Sequence, residues 1–281
     1  MFCGQLSTRF FAKLYSDFNV VWVIWMRIIT ANTNGIRSAG RKGFFEWLAK
    51  QDADVVCIQE TKAQRDQLED ELYHPKGYTT VYSDAVKKGY SGTAMYCKKP
   101  PNSVTTSLGW DPADSEGRYI RADYDKISVI SMYLPSGSSG DEAQAKKNVF
   151  LDKIYLHFLE LKNAGRELVI CADWNICHKE IDLKNWKANK KNSGFLPHER
   201  EWLDKLYDEA GFVDALREIN PDAVYTWWSN RGQAYANNVG WRLDYHVITP
   251  GLVAGIRSAD VYKDERFSDH APFTMDYDYS L

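Results

Sequence analysis

Several short apolar runs of this chain stop at, or carry, a polar side chain able to handle protons, phosphate or a hard cation. Leu168-Val169-Ile170-Cys171-Ala172 ends in Asp173-Trp174-Asn175. Side chains at i and i+2 of an extended segment share a face, so Asp173 and Asn175 are offered together at the strand end while Trp174 points away into packing. The run Arg27 to Ala31 leads into Asn32-Thr33-Asn34-Gly35, and Asp54 to Ile58 leads into Gln59-Glu60-Thr61-Lys62. Ile127 to Met132 delivers Tyr133, Asp244 lies between Leu243 and Tyr245, and the loop Phe267 to Pro272 presents Asp269 and His270. Each of these alone has an ordinary explanation as a turn residue, helix cap or satisfied core group. Together they form a set of carboxylates, amides and one imidazole without thiolates, which suits Mg²⁺ or Mn²⁺ better than zinc.

A cation held by one or two carboxylates and shared with a phosphate makes a phosphoryl-transfer site. Phosphodiester hydrolysis needs an activated water, stabilisation of charge on the nonbridging oxygens and help for the leaving oxygen. Asp173 or His270 could handle protons, Asn175 and a neutral Tyr133 could donate hydrogen bonds to the phosphoryl group, and Glu60 could hold the metal. His270 has little freedom to pair with its neighbour Asp269. A carboxylate from elsewhere, with Asp244 the best candidate, would orient the imidazole and raise its pKa.

The elements that must position these groups alternate along the chain. Strands are expected over Arg27–Ala31, Asp54–Gln59, Ser91–Cys97, Arg118–Asp123, Ile127–Leu134 and Leu168–Ala172, then over Tyr225–Ser229, Gly240–Thr249 and Pro272–Tyr277. Helices are expected over Lys42–Gln51, Gln64–Leu72, Asp141–Asn163 and His198–Ala210, with Lys179–Pro197 a long polar loop. Mixed strands with helices between them imply stacked α/β layers. The length of 281 residues, with 44% hydrophobic and 26% charged content, fits one large domain. The formal charge of −3 announces no nucleic acid, so any polyanion site is a local patch or uses metal ions. Five cysteines without a CxxC spacing, two of them inside strand runs, read as reduced thiols of a cytoplasmic protein. Residues 1–25 read as an N-terminal extension and 26–281 as the functional domain; the apolar stretch near Val20 is too short before a charge to span a bilayer.

Six blocks in order carry a resemblance. They are Thr30 to Arg37, Cys57 to Lys62, Tyr133-Leu134-Pro135, Asp173 to His178, Asn238 to Tyr245 and Ser268-Asp269-His270. Their order and content resemble the exonuclease III family of apurinic/apyrimidinic (AP) endonucleases over Met26 to Leu281. The resemblance implies a four-layer α/β sandwich of the DNase I-like kind, two mixed sheets packed face to face with helices outside. It implies Glu60 as principal metal ligand, with Asn32 and Asn34 beside it and Asp173, Asn175, Asp269 and His270 completing the metal and phosphate site; Asn34 stands where some members carry Asp. Asp173 would orient or deprotonate the water, Tyr133 and Asn175 would stabilise the transition state, and Asp244 would pair with His270.

The segment Asn185 to Phe195 is similar to the family's DNA-contacting loop and supplies Asn185, Asn189, Lys190 and Asn192 to grip phosphates. Trp227, Trp241 and Leu243 match positions that wall a pocket for a base-free deoxyribose, and Arg37, Lys62, Tyr90 and Arg118 are further candidates for phosphate contacts. The implied activity is Mg²⁺-dependent incision 5′ to an abasic site in double-stranded DNA, leaving a 3′-hydroxyl. Trimming of blocked 3′ ends as an exonuclease or 3′-phosphatase is its companion, in a monomer that uses no membrane and works in the bacterial-type cytosol or nucleoid. Two alternatives are a small phosphate-ester phosphatase of the same superfamily and a catalytically silent DNA-binding protein.

Overall fold

The computed structural model describes residues 25–281, so most of the expected N-terminal extension, residues 1–24, lies outside the described residues. Fourteen strands follow in chain order. They are β1 (Met26–Asn32), β2 (Val55–Gln59), β3 (Thr79–Ser83), β4 (Thr93–Cys97), β5 (Ser103–Thr105), β6 (Tyr119–Asp123) and β7 (Ile127–Tyr133), then β8 (Glu167–Asp173), β9 (Val213–Asp214), β10 (Trp227–Trp228), β11 (Gly240–Trp241), β12 (Asp244–Ile248), β13 (Ile256–Val261) and β14 (Phe273–Tyr277). The α-helices are α1 (Ile36–Arg41), α2 (Phe44–Leu48), α3 (Asp141–Asn163), α4 (Trp186–Asn189), α5 (Pro197–Asp204) and α6 (Ala215–Ile219).

One six-stranded sheet has the order β13-β14-β1-β2-β4-β3 and the other β5-β6-β7-β8-β12-β9. Each holds a single parallel pair, β1 with β2 and β7 with β8, among antiparallel neighbours. The period of two along each strand sorts side chains into layers. In β1, Met26 and Ile28 enter the core between the sheets, whereas Ile29 and Ala31 pack under α1 and α2. In β8, Val169 and Cys171 face the other sheet, whereas Leu168, Ile170 and Ala172 pack under α3 and α5. Phe150, Leu151, Ile154, Tyr155 and Phe158 form the buried stripe of α3. The result is the expected four-layer α/β sandwich of two mixed sheets flanked by helices.

Local departures from expectation have physical causes. The stretch Gln64–Leu72 forms two 3₁₀ turns, Arg65–Gln67 and Glu71–Tyr73, because Leu68 alone is buried among charged neighbours and offers no helical stripe. The expected strand Gly240–Thr249 breaks at Arg242 and Leu243. Arg242 is buried there between two carboxylates, its Nε 2.8 Å from Asp182 and its second terminal nitrogen 2.6 Å from Asp214. The helix expected over Lys42–Gln51 shortens to α2, and that over His198–Ala210 runs as α5 into a π-helical turn over Lys205–Glu209. Strands β3 and β13, unexpected from sequence, are sheet edges whose polar, part-exposed residues blur the alternation.

Candidate active site

Strand parity brings the candidate residues together. Asn32, Tyr133 and Asp173 are the last residues of β1, β7 and β8, and each continues the face that looks into the gap between the sheets. Asp244 opens the antiparallel β12 directly opposite Asp173, and Tyr133 pairs with Asp173 on its other side. His270 precedes β14, which runs antiparallel to β1. All therefore meet at one mouth of the sandwich. Glu60 follows β2 with a left-handed φ of 52°, which ends the strand and swings its carboxylate onto Asn32.

Asn32 is the buried hub: its Nδ2 donates to Glu60 Oε1 and Asp173 Oδ2, both at 2.8 Å. His270 Nδ1 lies 2.8 Å from Asp244 Oδ2, and its Nε2 lies 3.8 Å from Asp173 Oδ2. The backbone N–H of Asn175, itself at φ 49°, donates to Asp173 Oδ1 at 2.8 Å, while its Nδ2 donates to Leu134 O at 2.9 Å. Asn34 stands one step outward, donating to Asp269 Oδ1 at 2.8 Å and accepting from Lys62 Nζ at 2.5 Å. Trp227 Nε1 donates to the other Asp269 oxygen at 3.1 Å. Asp269 is thus occupied by donors on both oxygens.

The electrostatics divide the carboxylates. Burial pushes the Asp173 carboxyl up to about 7, with Asp244 and Glu60 adding repulsion that the attraction of His270 only partly offsets. Burial also works against a charged His270, but Asp244 and Asp173 overcome it and push the imidazole up to about 10. Glu60 is pulled the other way: burial would raise it, yet Lys62, its Nζ 2.6 Å from Oε2, and the Asn32 amide hold it below the usual carboxylate range. Burial first, then the negative charges of Glu60 and Asp173, keep the Tyr133 phenol well above its ordinary value, so it stays a neutral donor.

One ligand atom each from Glu60, Asp173 and His270 lies within 4.8 Å of the others, a spacing fit for a single cation. The hard oxygens of Glu60 and Asp173 match a divalent metal, and the ammonium of Lys62 already rests on Glu60 as a cationic stand-in. His270, with Nδ1 given to Asp244 and a raised pKa, is arranged to hold a proton against Asp173. Asp269 is not one of these three donors and is joined to Asn34.

Two of the groups expected on phosphates already have protein partners. Arg118 is buried against the Tyr133 ring, its guanidinium 4.7 Å from the centroid and bonded to Glu116, Tyr133 O and the Tyr90 hydroxyl, so it braces the tyrosine instead of facing solvent. Lys62 is bound to Glu60 and Asn34. Arg37 is exposed, as are Asn185, Lys190 and Asn192. Asn189 Nδ2 donates to Asn185 O at 3.0 Å and Asn192 Nδ2 to Asn189 Oδ1 at 2.8 Å, which shapes the loop around α4. Trp227 and Trp241 meet edge to face at 6.2 Å between centroids and pack with Leu243, Leu183 and Phe195. Trp227 is bridged to His270, so this wall abuts the catalytic groups.

Sequence reasoning missed a buried ion pair. Lys147 on α3 and Glu199 on α5 are fully buried, 2.5 Å apart. Lys147 Nζ also donates to Asn175 O at 2.8 Å, and Glu199 Oε2 accepts from Gly194 N at 2.7 Å and Leu196 N at 3.0 Å. Lys147 falls in register with Phe150, Leu151, Ile154 and Phe158, and a lysine on an apolar stripe was the available signal. Thr30, Gln59 and Ser131, linked one layer beneath the mouth, were also missed.

Comparison with known proteins agrees with this geometry. The model of the Endonuclease/Exonuclease/phosphatase family matches residues 29–270. An exodeoxyribonuclease of Bacillus subtilis is 39% identical over 253 residues, 89% of this chain and 98% of the relative. The DNA repair nuclease APEX1 of Danio rerio is 39% identical over 256 residues, covering 89% of this chain and 81% of that protein. The structure of an AP endonuclease from Archaeoglobus fulgidus superposes with a TM-score of 0.83 at 30% identity, covering 90% of this chain and all of the other. A sandwich of two mixed sheets, carboxylates gathered at its mouth and a family match that spans both sheets lead to one assignment: the chain belongs to the endonuclease/exonuclease/phosphatase family.

Proposed function

We propose that this protein is a Mg²⁺-dependent DNA-repair phosphodiesterase that incises double-stranded DNA 5′ to an abasic site, leaves a 3′-hydroxyl, and also trims blocked 3′ ends. The observation that supports the reading most is the joining of Glu60, Asp173 and the Asp244–His270 pair at one mouth beside the Trp227, Trp241 and Leu243 wall. A flipped base-free sugar, apolar on one face, suits packing against such an aromatic wall. The names of the relatives, an exodeoxyribonuclease and a DNA repair nuclease, accord with it.

Glu60 and Asp173 would hold the metal, which supplies positive charge to the scissile phosphate. The other groups belong to the protein. Asp173, with a pKa raised to about 7, is suited to orient the attacking water and take its proton. His270, fixed by Asp244, keeps a positive charge beside Asp173 and the phosphoryl oxygens. Tyr133 stays protonated as a hydrogen-bond donor, and Asn175 lies on the same side of Asp173 to donate from its amide. The exposed Lys190 with the Asn185 to Asn192 loop and Arg37 would meet backbone phosphates.

The test is incubation of the protein with a duplex containing one abasic analogue, with Mg²⁺ or with chelator. Expected is a single cut 5′ to the lesion that needs Mg²⁺ and falls by about 10²–10⁴ in Asp173→Asn. Binding without metal-dependent incision would overturn the reading.

A further inference from the structure

Behind the aromatic wall lies a second cleft, of about 590 Å³, that shares Asn185 with the proposed phosphate-contacting loop but whose aromatic lining the proposed reaction leaves unused. Its lining includes Ile181, Leu183, Trp186 and Tyr225, with Lys184 and Lys187 at the rim. We infer that this cleft is a subsite for an unpaired nucleotide of the same DNA substrate, stacked on Trp186 and Tyr225 with its phosphate on Lys184 and Lys187. The inference rests on the reading of the protein as a DNA phosphodiesterase.

Four features support it. First, the size falls within the about 300–1,000 Å³ typical of small-ligand sites, and the composition is apolar with a basic rim. Second, aromatic faces interleaved with lysines are the chemistry that holds single-stranded nucleic acid, because every base presents a π-face and every phosphate a charge. Trp186 is already attended by cations: Lys187 and Lys190 lie 5.5 and 4.5 Å from its ring centroid. Lys184 and Lys187 are exposed and make no ion pair among the described residues, and Lys187 would exchange its place over the Trp186 ring for the phosphate.

Third, the cleft is built, not incidental. A Cβ at Gly240 would come within 2.6 Å of Tyr225 Cβ, so the tyrosine is packed directly on that backbone. Lys184 N donates to Gly240 O at 2.9 Å, and Leu183 bridges to Trp241. Fourth, these contacts tie the cleft lining, through Lys184 and Leu183, to β11, whose Trp241 belongs to the pocket wall. Trp186 packs against the same cluster that holds Trp227, Trp241 and Leu243. A nucleotide in the cleft and a sugar against that wall would therefore border the same side-chain cluster. Glu180 at the rim repels phosphate and directs it to the lysine side.

The experiment uses the full chain in chelator, so that nothing is cut, and an abasic-analogue duplex carrying an adjacent unpaired tract with 2-aminopurine. Wild type is expected to quench the probe and to bind this DNA about tenfold more tightly than do Trp186→Leu or Tyr225→Leu, both of which lose the quenching. A Lys184→Gln, Lys187→Gln variant, which keeps both rings, is expected to keep the quenching but to bind with a shallower salt dependence. Metal-dependent incision of a fully paired abasic duplex is measured in parallel and is expected to be unchanged in Tyr225→Leu. Absence of quenching in wild type, or quenching and affinity unaltered in folded Trp186→Leu and Tyr225→Leu, overturns the subsite. Failure of wild type to incise the paired duplex overturns the proposed function instead, so the two outcomes are distinguishable.

Discussion

The pair Lys147–Glu199 makes a severe prediction because neither side chain has exposed surface to retreat to. Glu199 accepts from Lys147, from Gln144 Nε2 at 3.1 Å, and from the backbone N–H groups of Gly194 and Leu196. Burial already pulls the Lys147 pKa down against the attraction of Glu199, a sign of how costly this ammonium is to bury. Glu199→Gln leaves that charge without its counter-ion, and breaking one side of a buried pair costs about 3–5 kcal/mol. Against a typical total of about 5–15 kcal/mol the protein should still fold, with a urea midpoint markedly lowered. Lys147→Met leaves buried Glu199 without its counter-ion at a similar cost and also removes the donor on Asn175 O, and Asn175 holds an unfavourable φ of 49° beside Asp173. If Asn175 is a transition-state donor, releasing it should cost about 10²–10³ in single-turnover incision while binding of the abasic duplex changes little. The decisive assay is a double-mutant cycle. Asn175→Ala should cost little more once Lys147→Met is present, because both act through one group. Strict multiplication of the two rate losses, or loss of binding in place of rate, would refute the linkage.

Other consequences are open to measurement. His270 has its folded pKa raised to about 10 from an ordinary 6.5, so its stabilising contribution is full below about 6.5 and is lost as pH rises through 10. In chelator, the urea midpoint of wild type should therefore fall between pH 7 and 10 more steeply than that of Asp244→Asn; parallel curves would count against the pairing. Mg²⁺ should raise the melting temperature of wild type by mass action, about 2.7 kcal/mol at a hundredfold excess over Kd, and Glu60→Ala should abolish the rise. An equal rise in that variant would remove Glu60 from the metal site. Gly194 has φ +92°, and a Cβ there would lie 3.1 Å from Asn175 O and 3.3 Å from Trp241 Cζ3. Gly194→Ala should destabilise by about 1–3 kcal/mol and slow incision, whereas Gly232→Ala, at φ +61° in open space, should slow nothing.

What could be read in the sequence was what the period of two controls. Along β8 the residues Val169, Cys171 and Asp173 share a face, so a carboxylate at the last inner position of a buried strand had to open between the sheets. The same reasoning reaches Asn32 and Tyr133. It fails where partners come from another layer: nothing local to Lys147 names Glu199, and nothing local to Trp186 names Tyr225. Arg118 gave no local sign of its aromatic partner either: its guanidinium lies 4.7 Å from the ring centroid of Tyr133, a residue 15 positions away on β7.

The two carboxylates at the mouth carry the same distinction into chemistry. Glu60 is held low against burial first by Lys62, two residues along the chain, with the Asn32 amide of β1 adding to it. Asp173 is raised by burial and by Asp244, which reaches it only because β12 pairs antiparallel with β8 in the register Asp244 opposite Asp173. A slip of one residue would turn Asp244 to the α3 side of the sheet, where Tyr245 and Val247 now pack, and would take its charge from His270 as well. One acid held ionised and one poised near neutral pH give the site two carboxylates of different character, both beside the proposed metal. Here the first comes chiefly from a sequence neighbour and the second from burial and strand register, so the register of β12 on β8 is a requirement of the chemistry as much as of the fold.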